Sequence, residues 1–165
     1  MSVVTEPWSQ DDDLVLWTLL LAEDLNAAAL ARLQERHPDV RYSHGFLFQQ
    51  LVNGPQPVGA LAEQLGVTSQ AISKTASELE RLGYVERVRD RDDGRVHRIA
   101  LTDKGNQALR AGGDIRADLN KELEAALGPE RARTAARALR AAVAARAKMA
   151  APGQDPTQDA PGGGR

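Results

Sequence analysis

The chain contains no cysteine, which excludes disulfides, a thiolate metal site and thiol-based redox sensing. Its three histidines, His37, His44 and His97, are too scattered to form a recognisable metal motif, and neither a metal nor another cofactor is expected. Aromatic residues make up only 4%, so leucine, alanine and valine must fill whatever core the 42% hydrophobic content allows. The longest apolar run, Leu14 to Ala22 with Thr18 inside it, is far shorter than the roughly 20 residues a membrane helix needs, and no membrane partner is expected. The acidic N-terminal region differs from the basic start of a signal peptide, so a soluble cytoplasmic protein is the expectation. An excess of charge is also missing: at a formal −2 the chain is no polycation, and any surface for nucleic acid needs a local concentration of bases. Gly-rich phosphate loops, paired catalytic carboxylates, H-E-x-x-H and G-x-S-x-G are all absent, and an enzyme is not expected.

What charge there is lies unevenly. Residues 1–40 hold eight acids against Arg32 and Arg36, residues 106–150 hold nine bases against five acids, and residues 60–105 hold eight of each. Along the chain, 1–10 reads as a flexible leader. Asp11, Asp12 and Asp13 then precede a helical pattern in which Leu14, Trp17, Leu21, Leu25 and Ala28 recur, with Leu16, Leu19 and Leu20 widening the apolar surface. A helix apolar on more than one face needs more than one neighbour, and a second subunit is the expected one; 11–42 is therefore read as a dimerisation helix and linker. Ser43 is the expected cap of a second helix burying Phe46, Leu47, Leu51 and Val52.

Residues 43–105 form the functional module. Val58, Leu61, Ala62 and Leu65 fall at helical spacing, Gly66-Val67-Thr68 makes a turn, and Ser69 to Leu82 separate into two faces. Ile72, Thr75, Ala76, Leu79 and Leu82 lie on one; Ser69, Gln70, Ser73, Lys74 and Ser77 lie on the other. Gly83 ends that helix. YVERVR and VHRIAL then read as strands around the turn signal Asp93-Gly94. Thr102 caps a long helix running to about Leu127, with Gly112-Gly113 as a weak spot, and Gly128-Pro129 separates it from an Ala-rich last helix. Residues 106–150 are thus C-terminal dimerisation helices. The Pro- and Gly-rich tail at 151–165 is expected to be disordered. The fold class is mainly α with a small β-wing.

Helix, turn, helix and hairpin in that order suit a winged helix-turn-helix that binds double-stranded DNA. The second helix would enter the major groove, where the Gln70 amide can pair with adenine and Lys74 can reach guanine or phosphate. Ser69, Ser73 and Ser77 can donate to phosphates or base edges. The hairpin carries Arg87, Arg89, Arg91, Arg95 and Arg98 among Glu86, Asp90, Asp92 and Asp93, and Arg91, Arg95 and Arg98 are the ones expected to seek the negative potential of a minor groove. Asp93 is read as a residue that orients a neighbouring arginine, because a free carboxylate facing phosphate would be repelled. The plainer readings are a solvated helix face and a soluble turn with mutual ion pairs.

The spacing of Leu61-Ala62, Gly83-Tyr84-Val85 with Arg87, Asp93-Gly94-Arg95, and Leu101-Thr102 with Gly105 resembles the MarR family (multiple antibiotic resistance regulators). About 45 residues carry the resemblance strongly, and the helix order agrees over roughly 10–150. It implies a homodimer whose terminal helices join into a shared domain and hold two winged modules over a pseudo-palindromic operator. It also implies that Arg95 reaches the minor groove, that Asp93 positions it, and that a small, often aromatic anion releases a repressor from DNA. The cysteine that peroxide-sensing members use is missing. An effector pocket is expected among Trp17, Tyr42, His44, Phe46 and Phe48, with ordinary core as the alternative for each; His44 is either a cation for the anion or simply a residue in the first turn of its helix. The rival function is a winged-helix protein-interaction module that does not bind DNA.

Overall fold

A computed structural model of the chain describes residues 13–90 and 97–150, so the expected leader, tail and hairpin tip lie outside the described residues. The chain divides into two compact units between Leu119 and Asn120.

In the first unit, Asp13 starts α1 (Leu14–Gln34) by accepting a hydrogen bond from the Leu16 amide at 2.9 Å. This satisfies one of the amides that a helix start leaves open. None of the 21 residues of α1 is buried, and Val15 and Leu19 are each more than 60% exposed. By length and composition this helix could cross a membrane. The uninterrupted apolar run understated it, because the helix continues past Glu23 and Asp24.

The second helix, α2 (Tyr42–Gln50), starts one residue before the expected Ser43 cap. Its first turn is held instead by His44, whose Nδ1 accepts the Arg41 amide at 3.2 Å. The buried face also differs from expectation: Leu47 and Leu51 are in the core, but Phe46 and Val52 are half exposed, and His44 and Phe48 lie inside. Next come β1 (Gln56–Pro57) and α3 (Val58–Leu65). Gly66, in the left-handed region at φ 63°, turns the chain into α4 (Ser69–Arg81). Thr68 caps α4 by accepting the Ala71 amide at 3.1 Å.

The wing strands are β2 (Val85–Arg89) and β3 (His97–Leu101), paired antiparallel with Arg87 opposite Ile99. Strand β1 adds to the other edge of β3, giving the order β1-β3-β2. A two-residue strand carries no periodicity to read, and its proline is tolerated because it sits at an edge. Leu61, Leu79, Tyr84 and Ile99 are fully buried at the centre of the module, where α2, α3, α4 and the sheet meet.

The fifth helix, α5 (Asp103–Leu127), runs unbroken through Gly112-Gly113 and across the division between the units. Gly128, at φ 81°, ends it, and Pro129 opens α6 (Pro129–Ala150) as expected. Within α6, Val143 and Met149 are strongly exposed.

Candidate nucleic-acid interface

The face expected to read bases is built by the way α4 is seated. Ile72, Ala76 and Leu79 are buried against the module core, which turns the remaining positions outward. Ser69, Gln70, Lys74 and Ser77 are exposed, and Ser73 is partly covered at the edge of the same face. The side chains of Ser69, Gln70 and Lys74 have no polar partner among the described residues, so their donors and acceptors are available to a ligand. Ser77 differs. Its hydroxyl accepts a hydrogen bond from Arg87 Nη2 at 3.2 Å, while Arg87 Nε donates to Glu80 Oε2 at 3.2 Å.

Arg98 is on β3 rather than at the projecting tip. Its Nε donates to the carboxylate of the largely buried Asp90, and Nη1 lies 3.4 Å from the Pro55 carbonyl. That arginine ties the base of the wing to the segment before β1. Arg91, Asp93 and Arg95 lie outside the described residues. The sequence groups Arg87 with the hairpin arginines; its place on β2, bonded to Ser77 and Glu80 of α4, has no local signal that could have shown it.

The joint between α4 and the wing is closely interlocked. Gly83, at φ 79°, takes the left-handed conformation that lets the chain leave α4. The Thr102 hydroxyl donates to the Gly83 carbonyl at 2.6 Å and accepts the Gly105 amide at 3.1 Å, and the Thr102 amide donates to the Tyr84 carbonyl at 3.1 Å. Lys104 Nζ donates to the Leu82 carbonyl at 2.9 Å and lies 4.1 Å from the centre of the Tyr84 ring. A cation here satisfies a helix C-terminal carbonyl and the face of an aromatic ring together. The buried Tyr84 hydroxyl is 3.4 Å from His37 Nδ1. Burial, then the positive charges of Lys104 and Arg36, push the His37 pKa down, and burial, then Asp39, pushes that of Tyr84 up.

The residues expected to form an effector pocket are differently placed. Phe48 is in the core against Tyr84, with ring centres 5.9 Å apart. Tyr42 and Phe46 meet edge to face at 5.2 Å, each half exposed, and Trp17 is half exposed on α1. His44 is buried, and both its nitrogens are turned to the protein: Nδ1 to the Arg41 amide, and Nε2 to Glu78 Oε2 at 3.9 Å. Glu78 in turn pairs with the Arg41 guanidinium at 2.7 Å. Burial lowers the His44 pKa, Glu78 opposes that, and Arg41 adds to it. His44 is therefore not the waiting cation that an anionic ligand would need. None of the five lines the open cavity of about 370 Å³ where Gln34, Asp39 and Arg41 face Glu78 and Arg81. No three His, Asp or Glu side chains converge as a metal site among the described residues.

Residues 44–96 match the MarR family. These residues form a MarR-family module. No curated protein sequence matches the chain. Among solved structures, RV1404 from Mycobacterium tuberculosis is similar, with a TM-score of 0.72 and 23% identity over 87% of this chain and 98% of that one. FabT from Streptococcus pneumoniae, solved in complex with DNA, has a TM-score of 0.68 and 20% identity over 84% and 99%. PcaV from Streptomyces coelicolor, a transcriptional regulator solved with its natural ligand, has a TM-score of 0.59 and 23% identity over 86% and 99%. The MarR-family module thus sits in a chain of the same winged-helix fold as these proteins.

Proposed function

We propose that this protein is a cytoplasmic, dimeric, sequence-specific DNA-binding transcriptional regulator that represses until a small effector releases it. One observation carries the reading: the N-terminal half of α4 presents Ser69, Gln70 and Lys74, exposed and without polar partners, beside a wing. Small polar groups and a single lysine on that face suit base edges in a major groove. FabT, similar in fold, was solved with DNA, which supports the same use here. The unmet apolar surface of α1 supports the dimer. A membrane is the poorer occupant, because Glu23 and Asp24 at mid-helix would each cost roughly 2.5–3.5 kcal/mol at a bilayer centre.

The ligand of PcaV supports an effector by likeness. The cavity between Arg41 and Arg81 is a better-supported location for one than the scattered aromatics. Selecting bound fragments from the source genome, then measuring duplex binding with and without candidate ligands, tests the reading. Absence of any enriched fragment sinks it. The rival, a winged-helix interaction module, draws on the pairing of Arg87 and Arg98 with acids, which leaves fewer free cations for phosphate. It expects no salt-dependent duplex binding at all.

A further inference from the structure

Resting on that DNA-binding reading, we propose that Arg87 is a positioning residue: with Glu80 and Ser77 it clamps the recognition helix to the wing and sets the angle at which α4 meets DNA. The two acceptors are three residues apart on α4 and therefore share one face. Arg87 reaches them through two different nitrogens, Nε to Glu80 at 3.2 Å and Nη2 to Ser77 at 3.2 Å. A planar fork bonded at two points fixes rotation as well as distance, which a lysine at this position could not do. The base of the fork is itself fixed, because Arg87 is in register opposite Ile99, a fully buried residue of β3.

Besides the fork, α4 and β2 are joined by the short passage through Leu82, Gly83 and Tyr84 and by the core that Ile72, Ala76 and Leu79 share with Val85, which lies under α4 and leaves its polar side to the fork. The clamp lies toward the C-terminal end of α4, and the base-reading residues lie toward the other. Gln70 is seven residues from Ser77, about 10 Å along the axis. A tilt of about 6° at the clamp moves Gln70 by about 1 Å, more than the roughly 0.5 Å range over which a hydrogen bond keeps its strength. Ser77 then serves the DNA-reading face indirectly, and Glu80, an acid near that face, is kept for geometry despite its repulsion of phosphate.

The sign of the Glu80 effect separates this role from simple charge. In the full-length chain, binding to the selected operator and to unrelated duplex is measured from 50 to 200 mM salt for the wild type, Arg87→Ala, Glu80→Ala, Glu80→Gln and the Arg87→Ala/Glu80→Ala double variant. The clamp expects Arg87→Ala and Glu80→Ala each to lower operator discrimination about tenfold, on the order of one lost base contact. It expects the double variant to be no worse than either single one, and Glu80→Gln, which keeps an acceptor, to stay near wild type. Non-specific affinity and salt slope should hold, and melting temperatures should stay within about 3 °C, since exposed ion pairs add little stability. Tighter operator binding by Glu80→Ala overturns the clamp, as does a salt slope lowered by about one in Arg87→Ala, which marks a direct phosphate contact. Wild-type discrimination retained by Arg87→Ala also overturns it and leaves the DNA-binding reading intact. Failure of the wild type to bind any duplex rejects that reading itself, and the clamp with it.

Discussion

A β-carbon on Gly105 would lie 2.1 Å from the Tyr84 carbonyl oxygen. That oxygen is already occupied by the Thr102 amide, so it cannot retreat without breaking the joint between wing and α5. Gly105→Ala should therefore destabilise the protein by about 2 kcal/mol or more, as over-filled sites with backbone neighbours do. Urea unfolding checks this: the midpoint should fall with the slope unchanged. A midpoint equal to wild type would mean that the start of α5 can slide away from Tyr84.

Thr102 serves the same joint through its side chain. Its hydroxyl meets the Gly83 carbonyl and the Gly105 amide together, so Thr102→Ala removes a helix cap and a cross-link between two turns. The expected loss is about 1–2 kcal/mol, with Thr102→Ser recovering most of it. Equal losses in the two variants would show that the methyl group, not the hydroxyl, matters.

Local signals explain how much of this was legible from sequence. The Thr68 and Thr102 caps, Gly83 and the break at Gly128-Pro129 each depend on a residue type that favours one backbone conformation, and they fell where expected. The division of α4 into a buried and a polar face was readable because its periodicity is strong. Helix α2 misled because its aromatics are i, i+2 neighbours: Phe46 and Phe48 cannot both face inward, and only tertiary contact with Tyr84 decides which does. For His44 the sequence offers two readings, a cation for a ligand or a residue of the first helical turn; the Arg41 amide on Nδ1 gives the second, and only Glu78, beyond Nε2, has no local signal. Pairings across the fold, such as Arg87 with Ser77 and Arg98 with Asp90, have no sequence signature.

The two buried histidines make stability depend on pH. In the folded state burial disfavours the imidazolium of both His37 and His44, so their pKa values are lowered. Above about 6.5, the unfolded value, both states are neutral and the pair adds no pH dependence. As pH falls below that, the unfolded chain takes up protons first, and stability drops until the folded values are passed. Urea midpoints should decline from pH 7 toward pH 5. His44→Asn, which can keep an oxygen acceptor for the Arg41 amide but does not titrate, should flatten that decline. An identical pH profile in the variant would assign the effect elsewhere.

On the proposed DNA-binding reading, α4 and the wing should fail in different ways. Gln70 is exposed and without a partner, so Gln70→Ala is expected to change preference at particular base positions by about 1–3 kcal/mol. Arg95→Ala is expected to weaken operator binding without unfolding the protein, and gel-shift titration reads it. A uniform loss over all base substitutions for Gln70→Ala would place that side chain on the backbone. Normal affinity in Arg95→Ala would remove it from the interface.

The last prediction concerns assembly. Val15 and Leu19 are four residues apart on α1, so they share a face, and both are more than 60% exposed in the single chain. Fully covering two such side chains contributes roughly 1.5–3 kcal/mol each, enough to matter to a dimer in the micromolar range. Light scattering of the wild type at micromolar concentration should give twice the chain mass of 17.8 kDa. Val15→Glu/Leu19→Glu should shift it toward the monomer and weaken operator binding, because a lone module engages one half-site. A monomeric wild type would remove the two-half-site geometry. A double variant that stays dimeric and binds normally would keep that geometry and place the contact surface off this face of α1.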